Sequence, residues 1–266
     1  MRHSFIMIYA IFLRQLFLLK HSIPRWVGIF YWATLEIVLW GFITIYLSTL
    51  GESKFSFFTA LLGAPILWNF LLRVQMGLTM GFMEDIWTRN LINLFSSPLT
   101  MRHYLAGLIL VSIFQASIAI GLMALIAWFL FSYNIFTLGF ALLPFVAVLF
   151  MFGWALGVWT VAIIMALGPS AEVLAWSLPA LFTPFSGVFY PISSLPAAIQ
   201  PFAYLLPSSY VFEGFRSIVI SGTFDIVPLY KGFLLAFIML VAAYFFSIAC
   251  YRYVIQHGLF SRFLTE

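Results

Sequence analysis

The sequence predicts an all-α integral membrane protein with six transmembrane helices, an interfacial helix at the N-terminus and a re-entrant helical hairpin before the last span. Three observations carry that prediction. Over 266 residues the chain is 64% apolar and 8% charged, with mean hydropathy +1.11, whereas about a quarter of the residues in soluble domains are charged. Its apolar residues fall into runs of the length a bilayer core demands, roughly 20 residues for about 30 Å of hydrocarbon. Its basic residues sit at the ends of those runs. No segment is polar enough to form a separate soluble domain, so residues 1–266 read as one membrane domain.

The elements follow in chain order. Residues 1–24 start basic and continue apolar in the manner of a signal peptide, but Arg14 and Lys20 stand where a small-residue cleavage site belongs. With His3, Arg14 and His21 on one helical face, the segment reads as an amphipathic helix lying on the cytoplasmic leaflet and ending at Pro24. Six runs qualify as spans: 26–50, 55–83, 104–131, 136–167, 172–190 and 228–254. Gly51-Glu52-Ser53-Lys54, Ser132-Tyr133-Asn134 and Gly168-Pro169-Ser170 mark turns between them. Ahead of the last span, residues 192–221 combine Pro196, Pro201 and Pro207 with Phe202, Tyr204, Tyr210 and Phe212. This stretch is too apolar for a wet loop and too rich in proline for another span. It is expected to form two short helices that dip into the outer leaflet under cover of protein.

Lysine and arginine are retained on the cytoplasmic side of short loops, and this sets the orientation. An internal N-terminus places Arg2, Arg14, Lys20, Arg25, Arg89, Arg102, Arg252 and Arg262 inside and leaves Lys54, Arg216 and Lys231 at the outer side. Both termini are then cytoplasmic. The formal net charge of +4 is spread over these ends and forms no patch, so membrane lipids, and no nucleic acid, are the expected partners. The single cysteine, Cys250, has no partner for an intrachain disulfide and reads as core packing.

Catalytic chemistry has few footholds. The sequence holds no phosphate-binding loop, no His-Glu-x-x-His pair and no nucleophile elbow. No catalytic residue, bound cofactor or metal site is therefore predicted. His3, His21, His103 and His257 all fall at the predicted cytoplasmic ends, where contact with lipid headgroups is their expected role.

Glu36 and Arg73 are the two charges inside apolar spans; Glu36 follows Arg25 by eleven residues and Arg73 precedes Glu84 by eleven. Both then sit roughly 16 Å inward from the cytoplasmic boundary. An unpaired ion at that depth costs about 2.5–3.5 kcal/mol on insertion scales. The expectation is a Glu36 to Arg73 pair that either locks the first two spans together or lines a polar path. Gly77-x-x-x-Gly81 and Gly153-x-x-x-Gly157 predict close helix approach within the chain.

Residues 84–99 are the longest polar interruption in the first two thirds of the chain. Asp85, Arg89 and Ile92-Asn93 share one side of a helix, and Trp87, Leu91 and Leu94 share another. A short amphipathic helix is predicted here, ended by Ser96-Ser97-Pro98, resting on the membrane and presenting its charges to a partner.

Three stretches now become recognisable: Glu84-Asp85 through Ser97-Pro98-Leu99, Ser186-Gly187-Val188-Phe189-Tyr190-Pro191-Ile192-Ser193-Ser194-Leu195-Pro196, and Leu206-Pro207 through Glu213-Gly214-Phe215-Arg216. Together they resemble the membrane subunit of a type-2 ATP-binding-cassette (ABC) exporter, over essentially the whole chain. The resemblance implies a permease dimer in the bacterial inner membrane, bound to two copies of a separate ATP-binding subunit that holds ATP and Mg. It implies export of lipids, drugs or lipid-linked glycans, with ATPase coupling through Glu84, Asp85, Trp87, Arg89 and Asn90. It also implies a re-entrant gate formed by Gly187, Tyr190, Pro191, Pro196, Glu213 and Arg216. The chain departs from polysaccharide exporters at Leu206-Pro207-Ser208-Ser209, where those tend to carry an Asn-Pro-type segment. Two other readings fare worse. An ion-coupled secondary transporter calls for midplane carboxylates and internal repeats, where this chain has Glu36 and no repeated halves. An intramembrane enzyme needs a nucleophile with its base, or metal ligands, within the spans.

Overall fold

The protein was analysed as a computed structural model that describes residues 2–50 and 55–259. Among the described residues all regular structure is helical: α1 (Arg2–Lys20), α2 (Ile23–Leu50), α3 (Phe55–Trp87), α4 (Leu91–Phe95), α5 (Met101–Phe131), α6 (Leu142–Leu167), α7 (Leu174–Phe182), α8 (Gln200–Ala203), α9 (Pro207–Ser221) and α10 (Ile226–Gln256). The turn predicted at Gly51-Glu52-Ser53-Lys54, and Arg262, expected on the cytoplasmic side, lie outside the described residues.

Among the described residues six helices are long and apolar enough to cross a membrane, namely α1, α2, α3, α5, α6 and α10. The number matches the sequence expectation and the membership does not. The span predicted at 172–190 is not one continuous helix. Gly168 adopts φ 95°, a 3-10 turn covers Pro169–Val173, α7 is nine residues long, a second 3-10 turn covers Thr183–Phe185, and Gly187 adopts φ 67°. Proline removes ladder donors and the two glycines occupy left-handed backbone that other residues rarely adopt. The segment nevertheless runs from one end of the bundle toward the other. Glu172 meets Trp87 at the end of α3, Ala175 meets Gln75, Phe182 meets Phe152, and Phe189 stacks on Trp40 well along α2.

The second correction concerns α1, which does not lie across the end of the bundle. Its contacts advance along α5 in reverse order: Arg14 shares Asp85 with Tyr104, Ile11 covers Gly107, and Phe5, Ile8, Tyr9 and Phe12 line a groove with Leu110, Ile113, Phe114 and Ser117. The helix therefore leans antiparallel against the first half of α5. Gly107 permits this, since an added Cβ there would lie 2.6 Å from Ile11 Cβ.

The centre of the bundle is α3, gripped by α5 and α6. Leu67, Leu71, Val74 and Leu78 recur at helical spacing on its buried side. Helices in lipid gain little from apolar burial and associate through close packing at small residues. A Cβ at Gly153 would stand 2.8 Å from the Leu71 carbonyl oxygen, and one at Gly77 would stand 2.9 Å from Ser112 Cβ. Both glycine pairs thus act within the chain, as their spacing predicts. The lipid-facing surface is correspondingly apolar, with Leu125, Phe129, Phe140, Leu143 and Phe245 exposed.

Following the contacts, the starts of α2 and α5 and the ends of α3, α6 and α10 gather at one end of the bundle, which also carries Arg14, Arg25, Arg89 and Arg102; it is called here the basic end. At the far end, the two short helices predicted within 192–221 are unequal. α8 is a single turn of four residues and α9 has fifteen, packed against α3, α6 and α10.

Candidate functional site

At the basic end α3 does not stop before its acidic residues. Asp85 has no solvent exposure; it accepts from Arg14 Nη1 at 3.1 Å and from the Tyr104 hydroxyl at 2.7 Å, and Arg14 Nη2 pairs with its other oxygen. In the first turn of α2, Arg25 pairs with the adjacent Glu84 at 2.5 Å and approaches Gln15. These two ion pairs neutralise the carboxylates, so the helix continues four residues past the predicted span end at Met83. They also join α1, α2, α3 and α5 into one frame. The predicted amphipathic helix over 84–97 is thereby corrected: Glu84, Asp85 and Trp87 belong to α3, and Asp85 faces inward instead of sharing an outer face with Arg89.

The outer face is built by the turn that follows. Arg89 N donates to the Ile86 carbonyl at 2.8 Å and Asn90 N to the Asp85 carbonyl at 2.9 Å, with Arg89 at φ 54°. This is the paired closure that usually places glycine in the left-handed position. An arginine there carries a conformational cost of about 1–2 kcal/mol, and such outliers cluster at functional sites. The one-and-a-half turns of α4 then fold back on the bundle, with Leu91 buried and Phe95 against Tyr104 and Tyr251. What remains outside is a ridge of Trp87, Thr88, Arg89, Asn93, Ser96 and Ser97. Trp87 also donates to Glu172 at 3.4 Å, which links the ridge to the start of the interrupted span.

Glu36 and Arg73 come close without closing. They act on one another through space, but they are not among the close ion pairs found in the described residues. Asn69 Nδ2 donates to the Pro65 carbonyl at 3.0 Å, while Arg73 Nη1 donates to the Gly28 carbonyl at 3.4 Å. The predicted direct pair is therefore corrected to a looser polar cluster between α2 and α3.

At the far end the structure brings most of the predicted gate residues together. Arg216 Nη2 donates to the carbonyls of Gly187 at 2.6 Å and Tyr190 at 2.9 Å. Glu213 accepts from Ile192 N at 2.8 Å and lies 3.9 Å from Arg216. One turn of α9 thus supplies the hydrogen-bond partners that the broken backbone at 187–192 cannot supply for itself. Burial pushes the Arg216 guanidinium below its ordinary pKa, and the Glu213 charge partly opposes this. Ser208 Oγ donates to Ser186 Oγ at 2.8 Å and Ser209 Oγ to the Ala203 carbonyl at 2.6 Å, tying α9 to both neighbouring turns. Pro191 opens the 3-10 turn at Ile192–Ser194, and the Pro196 carbonyl accepts from Ile199 N at 2.8 Å.

Arg14, Arg25, Tyr104 and Glu172 were not singled out for these sites from sequence. The usable signal was charge balance, since two arginines of the first two helices fall at the same end as Glu84 and Asp85. Among the described residues no cluster of three or more His, Cys, Asp or Glu side chains could hold a metal ion. Compared with known families, residues 8–220 match the family model described as ABC-2 type transporter. No curated protein matches the chain significantly.

Proposed function

The chain belongs to the ABC-2 type transporter family, a family of multi-pass permeases, and on that premise we propose that it is the membrane half of an ATP-driven exporter of amphiphiles. It works as a dimer with a second permease copy, associated with two copies of a separate ATP-binding subunit in a bacterial inner membrane. The basic end and the end of α10 are cytoplasmic, whereas α1, antiparallel to α5, leads the N-terminus away from that end, contrary to the expectation of two cytoplasmic termini. The ridge from Trp87 to Ser97 seats the ATP-binding subunit, and the far-end assembly of Gly187, Tyr190, Pro191, Pro196, Glu213 and Arg216 forms the outer gate.

The observation that carries this reading is the construction of the ridge: an exposed turn held in an unfavourable backbone conformation on a frame of partly buried ion pairs. ATP and Mg supply their chemistry on the partner, and this chain's residues pass on displacement. A force on Arg89 and α4 reaches α3 directly and α1 and α2 through Arg14-Asp85 and Arg25-Glu84. It reaches the interrupted span through Trp87 and Glu172. Binding energy spent on the ridge can bias the spans only if the two transport states hold that ridge differently.

The test uses the chain reconstituted with its ATP-binding subunit in proteoliposomes. Arg89→Gly removes the side chain while suiting the left-handed backbone, and Arg89→Glu reverses the charge. Both are expected to keep the thermal stability of the isolated permease and to lower permease-stimulated ATPase activity at least tenfold. Full stimulation with both variants would place the docking surface elsewhere.

A further inference from the structure

Arg73 is a guanidinium at membrane depth that has not closed on the carboxylate beside it. Its one bond within the described residues is long, at 3.4 Å to the Gly28 carbonyl, and its Nε is buried without a partner. Asn69, almost fully buried beside it, bonds the Pro65 carbonyl through Nδ2 at 3.0 Å and leaves Oδ1 without a hydrogen bond. Glu36 and Arg73 are each only partly buried, so the cluster is reachable from outside the helices along the α2–α3 seam. A guanidinium offers five donors in a planar fork. In hydrocarbon such donors need acceptors, and the acceptors that fit the fork two at a time are phosphate and carboxylate oxygens.

The surface next to the cluster is apolar. On α2, toward the far end, Leu35, Val38, Leu39, Phe42 and Tyr46 form a shallow, open apolar face next to Glu36 in the helix. A charged anchor at membrane depth beside an apolar helix face matches a molecule that carries an anionic head on a hydrocarbon chain.

We propose that Arg73, flanked by Asn69 and Glu36, binds the phosphate of a phosphate-bearing amphiphile whose chain lies along the apolar face of α2. Arg73 supplies the fork, the second Nδ2 proton of Asn69 a further donor, and Glu36 a repulsion that keeps the complex from becoming too tight to release. Taking this ligand as cargo rests on the exporter reading above; the binding itself does not.

The experiment uses the purified full chain in dodecyl maltoside micelles, without any ATP-binding subunit, and follows its thermal unfolding midpoint. Dodecyl phosphate is titrated in one arm, dodecyl glucoside in a second and inorganic phosphate in a third. The midpoint is expected to rise saturably with dodecyl phosphate and to stay level in the other arms. Arg73→Gln is expected to weaken the apparent affinity at least tenfold, about 1.4 kcal/mol, and Arg73→Lys to fall between it and the wild type. Glu36→Gln is expected to strengthen binding, because it removes a negative charge beside the phosphate. The opposite signs at Arg73 and Glu36 separate a binding site from a merely structural cluster, and Arg73→Lys with Glu36→Gln keeps the test open if Arg73→Gln does not fold. An unchanged response in Arg73→Gln, or an equal shift with dodecyl glucoside, would overturn the site. A full shift with inorganic phosphate alone would overturn the amphiphile in favour of a soluble anion. A negative result here leaves ridge coupling untouched, just as normal ATPase stimulation in the Arg89 variants leaves this site untouched.

Discussion

Replacing Arg14 by alanine leaves the Asp85 carboxylate, which has no solvent exposure, holding only the Tyr104 hydroxyl at 2.7 Å. Removing one partner of a buried ion pair costs about 3–5 kcal/mol. The Arg14 side chain is 27% exposed, so part of its charge is already hydrated and the lower end applies, about 3 kcal/mol. Asp85→Ala strands less, because Arg14 can turn toward water; the Tyr104 hydroxyl is what remains unpaired, at about 1–3 kcal/mol. The double variant Arg14→Ala with Asp85→Ala leaves the same hydroxyl and no buried charge, so it should lose only about 2 kcal/mol. The three values make a cycle whose coupling is about 3 kcal/mol, well above what independent sites show. Unfolding of the purified chain by a denaturing detergent, followed by tryptophan fluorescence, measures all three. Arg14→Ala should be less stable than the double variant. A double variant that loses the sum of the two single losses would show that the pair does not hold the basic end together.

Two further substitutions probe the remaining joints. Gly153→Ala places a Cβ 2.8 Å from the Leu71 carbonyl oxygen and should cost about 1–3 kcal/mol by forcing α6 off α3, whereas Gly121→Ala meets nothing within 4 Å and should gain up to about 1 kcal/mol of helix propensity. Equal stabilities in the same detergent assay would contradict the close α3–α6 approach. Arg216→Gln removes charged hydrogen bonds from the Gly187 and Tyr190 carbonyls, each worth about 1.5–3 kcal/mol. A cysteine at Phe189, in a Cys250→Ala background, should then react faster with a membrane-impermeant thiol reagent; an unchanged rate would show that Arg216 does not hold this turn.

Hydropathy made five crossings legible because each is a long apolar helix, whatever its neighbours. The run 172–190 was also apolar, and composition could not reveal that the 3-10 turn at Thr183–Phe185 and the left-handed Gly187 divide it. Helical periodicity in 1–24 was real, but the face it marked turned out to matter at Arg14, whose partner Asp85 is 71 residues away and so invisible to any local pattern. For the same reason Asp85 read as a solvent-facing charge: burial of a carboxylate depends on who neutralises it. Depth counting brought Glu36 and Arg73 near each other, and what it could not supply was the side-chain geometry that keeps them apart. At the far end, proline and glycine density announced irregular backbone, while the use of Arg216 as a stand-in for missing backbone donors required the fold.

The interrupted crossing behaves as a jointed rod. A continuous helix would carry a push at one end to the other as rigid translation, because every turn is hydrogen-bonded to the next. Between Gly168 and Pro191 part of that bonding is handed to outsiders: Gln75 donates to the Ala175 carbonyl, whose helical donor would be Pro179, and Arg216 to the carbonyls of Gly187 and Tyr190. Each stub is thereby anchored to a different body, one to α3 and one to α9. Relative motion of those two bodies is then taken up as rotation at the glycines and prolines, with little stretching of hydrogen bonds, and the segment works as a knee that bends where a strut would break.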